Sequence, residues 1–78
     1  MLTVYYRSSC PYCQKALEYI KKKRLTCVYR EIDDYGGKEN VFGVLKKEKR
    51  IPNSYNTVPV IFNNSEFIGG YNELVRLK

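Results

Sequence analysis

The stretch Leu2-Thr3-Val4-Tyr5-Tyr6-Arg7-Ser8-Ser9-Cys10-Pro11-Tyr12-Cys13 decides the fold. Its first part, Leu2 to Tyr6, is a short uncharged run with Val, Thr and two Tyr, a composition that suits a buried strand. Arg7-Ser8-Ser9 ends it. Pro11 then suits a first helical position, and Cys13, Ala16, Leu17 and Ile20 recur at helical spacing, so a helix follows the strand directly. That helix closes on Lys21-Lys22-Lys23-Arg24, whose charges complement the negative end of the helix dipole.

Working outward, Thr26 to Ile32 reads as a second strand, with Cys27, Tyr29 and Glu31 alternating against Val28, Arg30 and Ile32. Strand, helix and strand in this order require a parallel pair with a right-handed crossover. Asp33 to Gly37 breaks the second strand. Val41, Val44 and Leu45 then mark a second helix ending near Arg50, which Gly43 weakens by about 1 kcal/mol relative to Ala. Pro52-Asn53-Ser54 is a loop, Val58 to Phe62 a strand, Asn63-Asn64 a turn and Glu66 to Ile68 a short partner strand. Gly69-Gly70 ends the hairpin, and Asn72 is a suitable N-cap for a last helix carrying Leu74, Val75 and Leu77. The reading is an α/β fold, β-α-β-α-β-β-α, with a mixed four-stranded sheet flanked by helices and residues 1–78 as a single domain.

Composition narrows the function classes. The chain has 78 residues, 44% of them hydrophobic and eight of them Tyr, enough for one real core and against disorder. A formal charge of +6 favours anionic partners. Three Cys and no His make a poor disulfide framework and cannot complete a four-ligand zinc site in a monomer, so no metal is expected. Met1 to Tyr6, the uncharged stretch that opens the chain, falls short of a signal or membrane segment. A soluble, cytoplasmic, monomeric protein in a reducing compartment is expected, with no membrane partner.

The chemistry sits in Cys10-Pro11-Tyr12-Cys13. Residues three apart in a first helical turn are neighbours within the roughly 4.4–6.8 Å Cα separation a disulfide accepts, so the two thiols can cycle between dithiol and disulfide. Cys10 precedes the helix, where free N–H groups and the positive dipole end favour a thiolate and lower its pKa from about 8.5 toward roughly 3.5–7.5. It is the expected nucleophile. Cys13 lies one turn inside, facing the core, as the resolving thiol, and Tyr12 stands beside the sulfur as an exposed aromatic. Cys27 reads as a small buried hydrophobe.

These residues resemble the dithiol class of the glutaredoxin family. The resemblance rests on Arg7 with Cys10-Pro11-Tyr12-Cys13, then Thr57-Val58-Pro59, Gly69-Gly70 and Tyr71-Asn72-Glu73, in that order and across nearly the whole chain. It implies a thioredoxin-like fold and a glutathione-dependent oxidoreductase that reduces protein disulfides and glutathione mixed disulfides. Glutathione would be the electron donor, and oxidised or glutathionylated proteins the clients, ribonucleotide reductase being one by family analogy. The resemblance also assigns a glutathione site. Arg7 meets the glycine carboxylate, a cis Val58-Pro59 bond lets the Val58 backbone pair with the cysteinyl part, and Thr57 lines the groove. Tyr12 and Tyr71 flank it. Gly70 permits close approach, and the N–H groups of Asn72 and Glu73 face the γ-glutamyl carboxylate.

Two departures stand out. Glu73 replaces the family's usual Asp, and the second-helix contact to the glycine carboxylate falls near Phe42 or Lys46 without resolving between them. Three other readings compete. A [2Fe–2S] cluster held between two chains would use Cys10 with glutathione, a site that Pro11 and Tyr12 crowd. Nucleic-acid binding would use the positive charge, but no recognition motif accompanies it. A thioredoxin-like protein would use the same thiols with a flavoenzyme as donor.

Overall fold

The computed structural model describes residues 1–77. Strand β1 is Leu2–Tyr6, helix α1 Pro11–Lys22, strand β2 Cys27–Glu31, helix α2 Lys38–Lys47, strand β3 Val60–Asn63, strand β4 Glu66–Gly69 and helix α3 Tyr71–Arg76. The sheet runs β2-β1-β3-β4, with β1 parallel to β2 and antiparallel to β3, and β3 antiparallel to β4. This is the expected mixed sheet, and its chirality problem is solved by α1 crossing between the two parallel strands.

The period-two pattern of the central strands divides the core between the two faces. Val60 and Phe62 pack with Ile32, Val41, Phe42, Leu45 and Ile51 on the α2 side. Ile61, the residue between them, joins Leu2, Val4, Ala16, Ile20 and Leu74 on the side of α1 and α3. Val60, Ile61 and Phe62 are all fully buried, so β3 anchors both layers at once. The Phe62 ring meets Tyr5 and Phe67 edge-on, at centroid distances of 5.9 Å to each.

Boundaries differ from the sequence reading where backbone hydrogen bonding overrides pattern. Ile32, expected to end the second strand, instead opens a 3-10 turn, Ile32–Tyr35, whose other residues fall in the Asp33–Gly37 break. Alternation in β2 is blurred, because on this edge strand only Tyr29 is exposed and its neighbours are all half-buried. The third strand begins at Val60 rather than Val58, since Pro59 has no N–H for the ladder. The hairpin turn is Asn64-Ser65, one residue later than expected, with Asn64 at φ 59°. A bulge between Ile61 and Phe62 in the pairing leaves Ile68 as the extra residue of β4, just before Gly69. The last helix starts at Tyr71 with Gly70 as N-cap, two residues earlier than the expected cap Asn72. Cys27 is half-buried against the α1-side core rather than fully enclosed, and burial still pushes its thiol up to about 11.

Helices α1 and α2 end alike. Arg24 N–H donates to Lys21 C=O and Leu25 N–H to Ile20 C=O; Lys49 N–H donates to Lys46 C=O and Arg50 N–H to Leu45 C=O. Both are Schellman closures, and both place a long basic residue in the left-handed region, Arg24 at φ 56° and Lys49 at φ 59°.

Candidate active site

At the C-terminal end of β1 the chain turns into α1 with both cysteines reduced. Cys10 is the N-cap, with extended backbone (φ −89°, ψ 121°), and Pro11 occupies the first helical position. The Cys10 sulfur takes the place of a capping oxygen, accepting the Cys13 N–H at 3.3 Å. Arg7 ties the loop to both cysteines. Its C=O accepts the Cys10 N–H at 3.1 Å and its own N–H donates to Cys13 Sγ at 3.5 Å. Gln14 Nε2 donates to Ser8 C=O at 2.7 Å and holds the loop from outside.

The two sulfurs differ sharply. Cys10 is partly exposed and its thiol points at the Val58 carbonyl, 3.8 Å away. Cys13 is fully buried. Burial pushes the Cys13 thiol up to about 12, opposed by the Arg7 N–H and reinforced by the neighbouring Cys10. One sulfur faces the surface and the other stays protonated in the core.

Opposite Cys10 a groove of about 260 Å³ is lined by Tyr12, Tyr55, Thr57, Val58, Pro59, Gly70, Tyr71, Asn72 and Glu73. Every residue expected in the glutathione groove is therefore gathered there except Arg7. The Val58-Pro59 bond is cis, as expected. Tyr12 is 56% exposed; its ring lies 6.4 Å from that of Tyr71, and Lys15 Nζ sits 5.1 Å from its centroid. Glu73 folds back so that its Oε1 accepts the Gly70 N–H at 2.8 Å. Gly70 has no side chain to return a bond, so the helix is capped from one side only. A side chain at Gly69, where φ is +124°, would place its Cβ 2.6 Å from Glu73 Oε1.

Arg7 instead turns its guanidinium to Asp33, Nη2 to Oδ1 at 3.5 Å. On the α2 side of the loop, Phe42 and Lys46 line one further groove of about 400 Å³ together with Lys38, Glu39 and Asn56. Lys46 Nζ donates to Asn56 Oδ1 at 2.6 Å, next to Thr57, while its ammonium and that of Lys38 both lie over the Phe42 ring. The two sequence candidates are neighbours in one place, with Lys46 the cation and Phe42 the surface beneath it.

Sequence reasoning missed Tyr55 and Asp33. The Tyr55 hydroxyl donates to the Pro59 C=O at 3.2 Å, and its ring packs edge-on against Phe67 at 4.8 Å. Burial raises the Tyr55 pKa, so the hydroxyl keeps its proton. Its signal was faint, a tyrosine two residues before the Thr57-Val58-Pro59 motif. Asp33 carried none, because it reads as an ordinary turn residue. Among the described residues no group of three His, Cys, Asp or Glu side chains is arranged to hold a metal, and no helix is long and apolar enough to cross a membrane.

A Cys-x-x-Cys pair at a strand-to-helix junction, facing a cis-proline loop across a mixed four-stranded sheet, defines a thiol oxidoreductase of the thioredoxin-like fold. Within that class the glutaredoxin family model matches residues 2–68, and the chain belongs to the glutaredoxin family. A probable glutaredoxin of Acanthamoeba polyphaga mimivirus is 32% identical over 77 residues, covering 94% of this chain and 73% of that protein. The crystal structure of glutaredoxin 1 from Francisella tularensis, complexed with cacodylate, superposes with a TM-score of 0.84 at 29% identity, covering 96% of this chain and 87% of that one. A buckwheat glutaredoxin–glutathione complex has a TM-score of 0.79 at 20% identity, covering 96% of this chain and 64% of that one, a likeness of fold alone.

Proposed function

We propose that this chain is a dithiol, glutathione-dependent oxidoreductase that reduces glutathione mixed disulfides and protein disulfides. The observation that carries the reading is the asymmetry of the two sulfurs, Cys10 at the surface over the groove and Cys13 buried with its thiol pushed up to about 12. Attack on a disulfide requires an accessible thiolate. Cys10 is the nucleophile and Cys13 the resolving thiol.

With a glutathionylated protein, the Cys10 thiolate attacks the glutathione sulfur, the protein leaves as a thiolate and takes a proton, and Cys10 carries the glutathionyl group. A second glutathione thiolate attacks that sulfur, restoring Cys10 and leaving as glutathione disulfide. One glutathione thiol is oxidised for each mixed disulfide reduced, the other half of the glutathione disulfide being the glutathionyl group taken from the substrate. With a protein disulfide, Cys10 forms the mixed disulfide and Cys13 displaces the client, giving a Cys10–Cys13 bond that two glutathiones reduce.

Family membership supports glutathione as donor, and the groove residues support where it lies. Arg7 pairs with the glycine carboxylate, the Val58 backbone with the cysteinyl part, and Thr57, Tyr12 and Tyr71 form the walls. Gly70, Asn72 and Glu73 surround the γ-glutamyl end. The positive net charge steers this anionic tripeptide and acidic clients. The test is a glutathione-coupled mixed-disulfide assay on wild type, Cys10→Ser and Cys13→Ser. Turnover retained by Cys10→Ser would sink the assignment.

A further inference from the structure

We propose that Asp33 is a tethered competitor for the Arg7 guanidinium, a positioning residue that sets how tightly the site holds a carboxylate-bearing thiol. The proposal rests on reading Arg7 as the contact to the glycine carboxylate of glutathione. Among the described residues the Arg7–Asp33 contact is the sole ion pair, in a chain with 14 cationic and eight anionic side chains. Its position is built in by the sheet. Tyr6 of β1 is paired in parallel with Glu31 of β2, so Arg7 and the Ile32–Tyr35 turn leave the sheet side by side at the same end. Fully buried Ile32 pins that turn, and the backbone bonds of Arg7, its N–H to Cys13 Sγ and its C=O from the Cys10 N–H, pin the other partner.

The contact is made to be exchanged. It uses one guanidinium nitrogen at 3.5 Å, leaving the other donors open, and its two side chains are 37% and 57% exposed. A ligand carboxylate that grips Arg7 through two parallel N–H bonds outcompetes a single long contact, whereas a one-pronged anion does not. Even when both carboxylates share the guanidinium, the fixed negative charge of Asp33 opposes the second. Asp33 thereby weakens binding of glutathione and sharpens the demand for a well-placed carboxylate, which also eases release of the product.

The experiment is steady-state reduction of the mixed disulfide of glutathione and 2-mercaptoethanol, beside the same disulfide with its glycine carboxylate blocked as the ethyl ester. Asp33→Asn is expected to lower KM for the free acid about two- to fivefold, the range an exposed ion pair spans, without a matching change in kcat. Asp33→Ser, which removes the same charge with a different shape, is expected to act alike. The ester should show no change, and the effect should vanish in an Arg7→Gln background. An unchanged or raised KM for the acid overturns the proposal. So does an equal fall for the ester or in the Arg7→Gln background. Wild-type protein inactive on the free acid would remove the functional reading itself, and the proposal with it.

Discussion

Glu73 Oε1 accepts the Gly70 N–H at 2.8 Å, so the carboxylate of the last helix lies back over the backbone that starts it. Glu73 stands at the third helical position, from which a glutamate side chain reaches back to the N-cap N–H. Gly69 is left no room for a side chain beside that carboxylate. Gly69→Ala is expected to lower stability by about 1–3 kcal/mol, from the strained φ and the collision with Glu73 together. Urea midpoints of the two proteins check it, and equal midpoints would refute it.

The two thiols are predicted to separate in chemistry. Iodoacetamide should modify Cys10 rapidly at neutral pH, while Cys13, buried and raised to about 12, should react only after unfolding. Cys13→Ser should keep the glutathione mixed-disulfide reaction and lose the dithiol route. Mass mapping of the alkylated peptides gives the order of modification.

Alkaline stability follows from the same burial. The Cys13 thiol rises from an ordinary 9.0 to about 12, so between these values the unfolded chain has lost a proton that the folded chain keeps. The stabilisation is therefore complete below 9.0 and is lost as the pH climbs toward about 12. Cys13→Ala should show a shallower decline over that window than wild type, whatever its stability at neutral pH. Parallel urea midpoints against pH would exclude the effect.

At the ends of α1 and α2, the left-handed Arg24 and Lys49 stand where glycine carries no steric cost. Arg24→Gly and Lys49→Gly are each expected to stabilise the fold by about 1 kcal/mol. A drop in melting temperature for both would show that the long side chains do more than close a helix.

The Tyr55 hydroxyl supports the Pro59 carbonyl, and Tyr55→Phe removes that bond while keeping the ring against Phe67. A loss of about 1 kcal/mol is expected, with a higher KM for the glutathione mixed disulfide as the groove wall loosens. An unchanged KM would confine Tyr55 to stability.

The element order and the site's main groove were legible because they depend on local signals. Strand-to-helix placement of Cys10 and Cys13, proline at the first helical position and the Thr57-Val58-Pro59 and Gly69-Gly70 stretches each carry a conformational constraint in a few residues. What escaped depends on packing across the sheet. Asp33 meets Arg7 through the parallel register of β1 and β2, and Tyr55 reaches Pro59 only once the loop has folded back. Gly70 displaced Asn72 as the cap because a carboxylate three residues on captured its N–H, a choice that neither residue's own preference announces.

Arg7, Cys10 and Cys13 form a closed circuit of backbone and sulfur, each passing a hydrogen bond to the next. Closing the disulfide turns both sulfurs into poor acceptors, so two amide protons, those of Arg7 and Cys13, lose their partners in the same step. The main chain thus records the oxidation state. Those two resonances in a nitrogen–proton NMR spectrum would serve as an intrinsic redox gauge, readable without a dye, a coupled enzyme or any change to the protein.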